Sequence, residues 1–128
     1  MKPLVVLTVL TLSAVAGLGY GLQAAPYTQA VLGEARGEGL RGMYAVAHGI
    51  RNRGSLRGVY GAKATTEPLG LELRATALLA WFLSLLGPDV THGSDHWENI
   101  YAFGTPTWAR GREPRATIGR HTFWRIQR

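Results

Sequence analysis

Cysteine is absent from the 128 residues of this chain, and acidic residues are few. The absence of cysteine excludes disulfides and a thiol nucleophile, so the fold must be held without covalent crosslinks. Eight acidic residues stand against 14 Lys and Arg residues, which gives a net charge of +6. This charge favours polyanionic partners such as nucleic acid, anionic lipid or an acidic wall polymer, and it does not choose among them. A chain this short forms one small domain at most.

Charge is missing altogether from the N-terminal segment, where no charged residue occurs between Lys2 and Glu34. The apolar run Leu4–Leu22 would span roughly 28 Å as a helix, at about 1.5 Å per residue. We therefore expect residues 1–24 to be a signal-anchor, or a signal peptide that is removed, followed by the working domain over residues 25–128. The uncleaved form is favoured because the segment lacks a good cleavage site. A buried helix of a soluble protein is the remaining alternative.

Helical spacing of apolar residues predicts a mainly α domain. A short helix over Pro26–Gly33 precedes a longer one over Gly39–Arg53, which the glycine at position 54 should end. The strongest pattern covers Leu69–Leu86, and its two charges, at Glu72 and Arg74, leave too short a clean run for a membrane span. We expect it to be the core helix, with an apolar face made of Leu71, Ala75, Leu78, Leu79, Phe82, Leu85 and Leu86.

The motif GEARGE at residues 33–38 contains the first acid of the chain, Glu34. It follows the small apolar run Ala30–Leu32, and glycines beyond it allow a sharp turn. A carboxyl group at a bend beside apolar residues suits the general acid that glycoside cleavage requires. An ordinary helix end with surface acids is the alternative. Glu38 would either orient a substrate or cap the next helix as an N-terminal acid.

From Asp89 onward no long period occurs, and turn residues, histidines and aromatics dominate, as is typical of a binding loop. His92 and His96 stand four residues apart with Asp95 between them, a spacing that suits zinc on a helix. Gly93 disfavours a helix here and no third ligand is evident, so we predict no metal and no cofactor. Hydrogen bonding to a sugar is the favoured role of these histidines.

The same segment supplies further candidates for a site. Asp95 and Glu98 are either partner carboxylates for Glu34 or structural loop acids. The four aromatic residues of the segment could pack in a core, but flat rings in a turn-rich chain also suit sugar faces. They are Trp97, Tyr101, Phe103 and Trp108. Of these, Trp97 and Trp108 are expected to be partly exposed stacking groups.

The C-terminal tail, residues 109–128, contains six arginines against one glutamate, a net charge of +5. Six arginines cannot all be buried without partners, so we expect them to be exposed. Such a tail favours attachment to a polyanion rather than chemistry.

Four sequence blocks, in this order, resemble the spore-cortex-lytic cell-wall hydrolase family. They cover essentially all of the domain, and together they are more specific than any one alone. The blocks are GEARGE at 33–38, AVAHGIRNR at 45–53, DVTHGSDHWEN at 89–99 and TIGRHTFWR at 117–125.

The resemblance implies a lysozyme-like, mostly helical fold that acts on peptidoglycan, without a cofactor. It implies cleavage between N-acetylmuramic acid and N-acetylglucosamine, by a lytic transglycosylase or a muramidase, with Glu34 as the catalytic glutamate. Its later loops map onto His96, Trp97, Asn99 and His121, with Phe123 and Trp124 beside them. Together with Glu38 and Trp108, the expected substrate-binding set is Glu38, His96, Trp97, Asn99, Trp108 and His121.

The chain departs from the family pattern at three places, the first of which is Ser94 and Asp95, where the family usually has alanine and threonine before the histidine. Trp97 stands where the family has a tyrosine, and Gly54–Pro68 is short and lacks an aromatic Gln-Phe element. The resemblance therefore leaves one wall of the expected groove undefined.

The expected partners are peptidoglycan and, through residues 4–22, a membrane; no nucleic acid is expected. The domain would be membrane-anchored or exported and would face the cell wall, and a phage virion or a phage-infected host envelope would suit so short a domain. The alternative function is a membrane-anchored basic protein that binds wall polymer or nucleic acid without catalysis. It gives Glu34 no role.

Overall fold

The computed structural model describes residues 24–64 and 70–128. The predicted membrane segment, residues 4–22, lies outside the described residues. Within the described ranges, no helix is long and apolar enough to cross a membrane. Ala24 is already helical and is buried in the core, so the first helix runs across the predicted boundary between residues 24 and 25.

The first helix, α1, covers residues 24–35 of the described chain, and a turn separates it from α2, Gly39–Arg53. Glu34 therefore lies in the last turn of α1 instead of following a helix over Pro26–Gly33. The bounds of α2 agree with the prediction. Its C-cap is Gly54, which has a left-handed φ of 76° and whose amide binds the carbonyls of Ile50 and Arg51.

The next segment, predicted as a loop, contains a four-residue helix, α3, Gly61–Ala64. It is followed by the long helix α4, Leu71–Leu86, which ends where predicted and begins after Gly70, its N-cap in an extended conformation.

The orientation of α4 differs from the prediction. Its buried residues are Ala77, Ala80, Trp81 and Ser84, which face α2, and the predicted apolar face is exposed. Small side chains let the two helices approach closely, while the Trp81 ring stacks on Tyr27 with centroids 4.6 Å apart. The side chain of Arg51 reaches across from α2, with its guanidinium 3.8 Å from the Trp81 ring centroid and its Nε donating to Ser84 Oγ at 2.7 Å. These contacts decide which face of α4 is buried. The helix does pack in the core, but through its small residues and Trp81 and not through the leucines of the predicted face.

A three-stranded antiparallel sheet follows, where the sequence predicted only loops. Its strands are β1 (His96–Glu98), β2 (Ala116–Ile118) and β3 (His121–Trp124), in the order β1-β3-β2. Between β1 and β2 lie a short helix, α5, Ile100–Phe103, and a 3-10 turn, Thr107–Ala109. All four β3 residues are buried, so the strand shows no alternation that a sequence pattern could reveal.

The architecture is therefore a single small domain, mainly helical, with a small sheet. Its core joins the apolar face of α2 to α1, α4 and β3. The lysozyme-like arrangement that the resemblance implies stays a prediction.

Candidate active site

A cavity of about 770 Å³ lies where the end of α1, the loop before α3 and the sheet meet. Its lining includes the predicted catalytic residue and the whole predicted substrate-binding set, although these residues come from four separate parts of the chain. They are Glu34, Glu38, His96, Trp97, Asn99, Trp108 and His121. The fold thus brings the predicted set together, while the role of each residue stays a prediction.

The carboxylate of Glu34 is hydrogen-bonded to two walls of this cavity. The backbone amide of Gly61 donates to its Oε1 at 2.7 Å, and the indole Nε1 of Trp97 donates to its Oε2 at 3.1 Å. One donor belongs to α3 and the other to β1. With a donor on each oxygen, the carboxylate has one defined orientation towards the cavity.

Close backbone packing explains why glycines flank this carboxylate. A Cβ added to Gly61 would lie 2.6 Å from the backbone N of Glu34, and a Cβ added to Gly33 would overlap the backbone of Gly61. Any side chain at either position would push the Gly61 amide away from Glu34. The first glycine of the motif, which lies inside α1, is therefore required by its close contact with the backbone of Gly61.

Trp97 is held against α2 by a third glycine. A Cβ at Gly49 would lie 2.8 Å from the Cε3 atom of Trp97, so the indole lies directly on the helix backbone. Phe123 of β3 contacts the other side, with ring centroids 6.4 Å apart. Trp97 is half-buried, and it positions Glu34 in addition to lining the cavity.

Glu38 is the N-cap residue of α2, but its side chain makes no capping hydrogen bond. Instead its carboxylate turns to the loop between β2 and β3, where Oε2 accepts from the amide of Arg120 at 3.4 Å. Its Oε1 lies 3.9 Å from Nδ1 of His121. Of the two predicted roles, the geometry favours the one at the cavity over helix capping.

His121 is 7% exposed, and its Nδ1 has no hydrogen-bond partner among the described residues. Burial lowers the pKa of His121 from its ordinary value of 6.5, and this outweighs the opposite effect of Glu38, Glu34 and Glu98. The imidazole is therefore neutral at neutral pH. It offers the cavity an uncharged ring that can donate or accept one hydrogen bond.

The lowered pKa of His121 predicts how the stability of the fold depends on pH. The unfolded chain takes up a proton on His121 near pH 6.5, whereas the folded chain does so only at lower pH. The free energy of unfolding should therefore fall as the pH is lowered through and below 6.5, and His48, whose pKa burial also lowers, acts in the same direction. The free energy of unfolding is measured with urea at about pH 7.5 and about pH 5.5. Its decrease between the two pH values should be smaller for His121→Gln than for the wild type.

The control for this experiment is His92→Asn. His92 is exposed and has a φ of 54°, a left-handed conformation that asparagine tolerates. His92→Asn should lose as much free energy of unfolding between the two pH values as the wild type. If His121→Gln lost the same amount, His121 would not be a source of the pH dependence.

The other candidates make contacts on the sheet side of the cavity. Nδ1 of His96 lies 2.9 Å from Oδ1 of Asp95, and the His96 ring meets Trp108 edge-on with centroids 5.1 Å apart. Trp108 is half-buried and also packs edge-on against Trp124. Asn99 uses its Oδ1 to cap α5, where it accepts from the amide of Ala102 at 3.1 Å.

The two further carboxylates of the segment have different surroundings. Asp95 is 3% exposed and accepts from the amides of Ile126 and Gln127 at 2.8 and 2.9 Å. Burial would raise the pKa of Asp95, but these bonds and the one with His96 hold it below its ordinary value. Asp95 is therefore structural, whereas Glu98 lines the cavity and stays a candidate.

Some lining residues were not predicted from the sequence: Tyr60, Gly61, Arg53 and Arg120. All six arginines of the tail are exposed, as expected, yet Arg120 also reaches the cavity. In the described ranges, no group of three or more His, Cys, Asp or Glu side chains is arranged to hold a metal ion.

Comparison with known proteins adds two solved structures, while no family model and no curated protein matches the chain. The catalytic domain of the Bacillus cereus SleB protein is 28% identical, with a TM-score of 0.54 over 75% of this chain and 84% of that one. The catalytic domain of the germination-specific lytic transglycosylase SleB from Bacillus anthracis is 30% identical, with a TM-score of 0.53 over 75% of this chain and 88% of that one. The family predicted from the four sequence blocks is thereby confirmed. The chain belongs to the spore-cortex-lytic cell-wall hydrolase family, the family of the SleB catalytic domains.

Proposed function

We propose that this protein cleaves the glycan strands of peptidoglycan between N-acetylmuramic acid and N-acetylglucosamine, as a lytic transglycosylase. The observation that carries the proposal is the carboxylate of Glu34, held by the Gly61 amide and the Trp97 indole over a cavity. Membership of the family that includes a germination-specific lytic transglycosylase supports the reaction type.

Glu34 would act first as an acid and then as a base. In the first step its carboxylic acid gives a proton to the glycosidic oxygen, and the bond from that oxygen to the anomeric carbon of the muramic acid breaks. In the second step the resulting carboxylate takes the proton of the C6 hydroxyl of the same sugar. The freed oxygen then bonds to the anomeric carbon and closes a 1,6-anhydro ring. No water and no second carboxylate takes part, in contrast to ordinary hydrolysis.

The neighbouring residues would bind and orient the strand. Trp97 keeps Glu34 in place, and the neutral imidazole of His121, which lines the cavity, can accept from or donate to a sugar hydroxyl or acetamido group. The remaining members of the proposed binding set are Glu38, His96, Asn99 and Trp108, all of which line the cavity. Glu98, on the same wall, would be the general base if the enzyme were a muramidase, which requires water as the acceptor.

The test is digestion of purified sacculi, followed by mass analysis of the soluble fragments. We expect disaccharide-peptides that end in anhydromuramic acid and are one water lighter than the corresponding hydrolysis products. Binding to sacculi without any released fragment would favour the alternative, a basic wall-binding protein.

We further propose that residues 1–24 export or anchor the domain so that it faces the wall, in a bacterial or phage-infected envelope. The apolar run Leu4–Leu22 motivates this placement. Protease added outside intact spheroplasts should digest a tethered domain, and full protection would contradict the proposal.

A further inference from the structure

Two aromatic side chains at the cavity are almost fully exposed. Tyr60 is 85% exposed and Phe103 is 78% exposed, and both belong to the cavity lining. A single exposed aromatic residue is ordinary on a protein surface. Two that border the same cavity as a held carboxylate point to a ligand with apolar faces.

The exposure of Tyr60 does not come from a loose backbone, since both of its neighbours are held. Val59 before it is 4% exposed in the core, and the amide of Gly61 after it binds Glu34. The Tyr60 carbonyl also accepts from the amide of Lys63 at 3.0 Å. The fold thus presents this ring outward from a fixed position beside the catalytic carboxylate.

Phe103 is held in a similar way at the end of α5. Its amide binds the carbonyl of Asn99 at 3.0 Å, and the side chain of Asn99 caps the same short helix. The chain then turns away at Gly104, where φ is 72°. The ring is therefore carried on a fixed backbone on the sheet side of the cavity.

The hydrogen bonds of Glu34 relate the two rings to the reaction centre. Tyr60 immediately precedes the Gly61 donor, whereas Phe103 belongs to the segment that continues from Trp97 through Asn99. Tyr60 and Phe103 therefore lie on the two cavity walls to which the carboxylate of Glu34 is hydrogen-bonded. A strand that crosses Glu34 would meet both walls.

We propose that Tyr60 and Phe103 are stacking platforms for pyranose rings of the glycan strand, at subsites outside the pair of sugars that is cleaved. This proposal rests on the proposed function. A pyranose has an apolar face of C–H groups, and placing it on an aromatic ring removes apolar area of both from water. Tyr60 also supplies an aromatic residue to the segment Gly54–Pro68, where the family resemblance left the groove wall undefined.

Platforms of this kind predict dependence on strand length. Subsites outside the cleaved pair are occupied only by longer strands, so losing a platform should weaken long substrates more than short ones. Tyr60→Ala and Phe103→Ala should each raise KM for long, peptide-free glycan strands roughly five- to tenfold, with the loss in KM rather than kcat. Tyr60→Phe keeps the ring and should retain most of the affinity.

Tyr101→Ala is the matched control. Tyr101 lies in α5 with Phe103 and is also 78% exposed, but it is not part of the cavity lining. It should behave as the wild type on strands of every length. If Tyr60→Ala and Phe103→Ala matched Tyr101→Ala, the proposed platforms would be wrong.

A binding measurement separates this inference from the proposed function. The same three alanine substitutions are placed in the Glu34→Gln protein, and its affinity for long glycan strands is measured without turnover. Weaker binding for Tyr60→Ala and Phe103→Ala supports the platforms even if the wild type cleaves nothing, in which case only the proposed function fails. Unchanged binding beside normal wild-type cleavage overturns the platforms and leaves the function standing.

Discussion

Replacing Glu34 by glutamine should lower the rate of peptidoglycan cleavage by at least about 100-fold, since one group acting as both acid and base typically contributes ~10²–10⁴-fold. Glutamine has nearly the same shape and can still accept from the Gly61 amide through its oxygen. Its amide nitrogen carries no proton that it can give to a glycosidic oxygen. The Trp97 indole would lose its acceptor, a small structural cost compared with the loss of the chemistry.

The matched control is Glu72→Gln, which removes an equal charge from an exposed position on α4. Release of fragments from sacculi should be normal in this control and nearly absent in Glu34→Gln, while both proteins remain folded under the assay conditions. Clearing of sacculi by Glu34→Gln at close to the wild-type rate would remove Glu34 from the mechanism.

Asp95→Ala should have the largest effect on stability. The substitution leaves three hydrogen-bonding groups without their acceptor: the amides of Ile126 and Gln127 and the ring of His96. Bonds to a charged group contribute about 1.5–3 kcal/mol each, and the exposed chain end can recover part of this by binding water. We expect a loss of about 3 kcal/mol in the free energy of unfolding, or roughly 10–15 °C in Tm for a domain of this size.

Urea unfolding of Asp95→Ala, Asp95→Asn and Glu113→Ala measures this effect. Asparagine keeps one oxygen acceptor and should lie between the wild type and alanine. Glu113 is exposed in the same C-terminal tail, and its replacement should change the free energy of unfolding by less than about 0.5 kcal/mol. If Asp95→Ala were as mild as Glu113→Ala, the bonds at the chain end would not stabilise the fold.

The sequence predicted the structure best where a single local pattern determines a feature of the fold. The apolar spacing and terminal glycine of α2 gave its bounds, and an acid after an apolar run led to Glu34. The order of the four blocks then led to His96, Trp97, Asn99 and His121, which converge only in the folded chain. Neither spacing nor propensity places these residues in one cavity.

Two features of the fold were predicted wrongly because tertiary packing overrides local pattern. The leucines of α4 form the larger apolar stripe, but Ala77, Ala80 and Ser84 allow the closer approach to α2, so the smaller side is buried. The strands contain three or four residues each, too few for a period of two to be recognised. Pairing with neighbours distant in the chain makes them strands.

Backbone groups and exposed aromatics were beyond prediction from the sequence. A donor such as the Gly61 amide carries no side chain and therefore no signal in the sequence. Tyr60 lies in a segment without periodicity, where exposure cannot be told from burial. It is the packing of α3 and the residue before it against Glu34 that places Tyr60 and Gly61 at the cavity.

The central claim is that Glu34 protonates the glycosidic oxygen and then takes the proton of the C6 hydroxyl, without activating water. It is tested most directly by digesting sacculi in water enriched in heavy oxygen. Lytic transglycosylation adds no solvent oxygen, so the new muramic acid ends should be anhydro rings without the label. Glu34→Gln should yield neither labelled nor unlabelled ends. Labelled reducing ends from the wild type would show hydrolysis, and would contradict the mechanism proposed for this site.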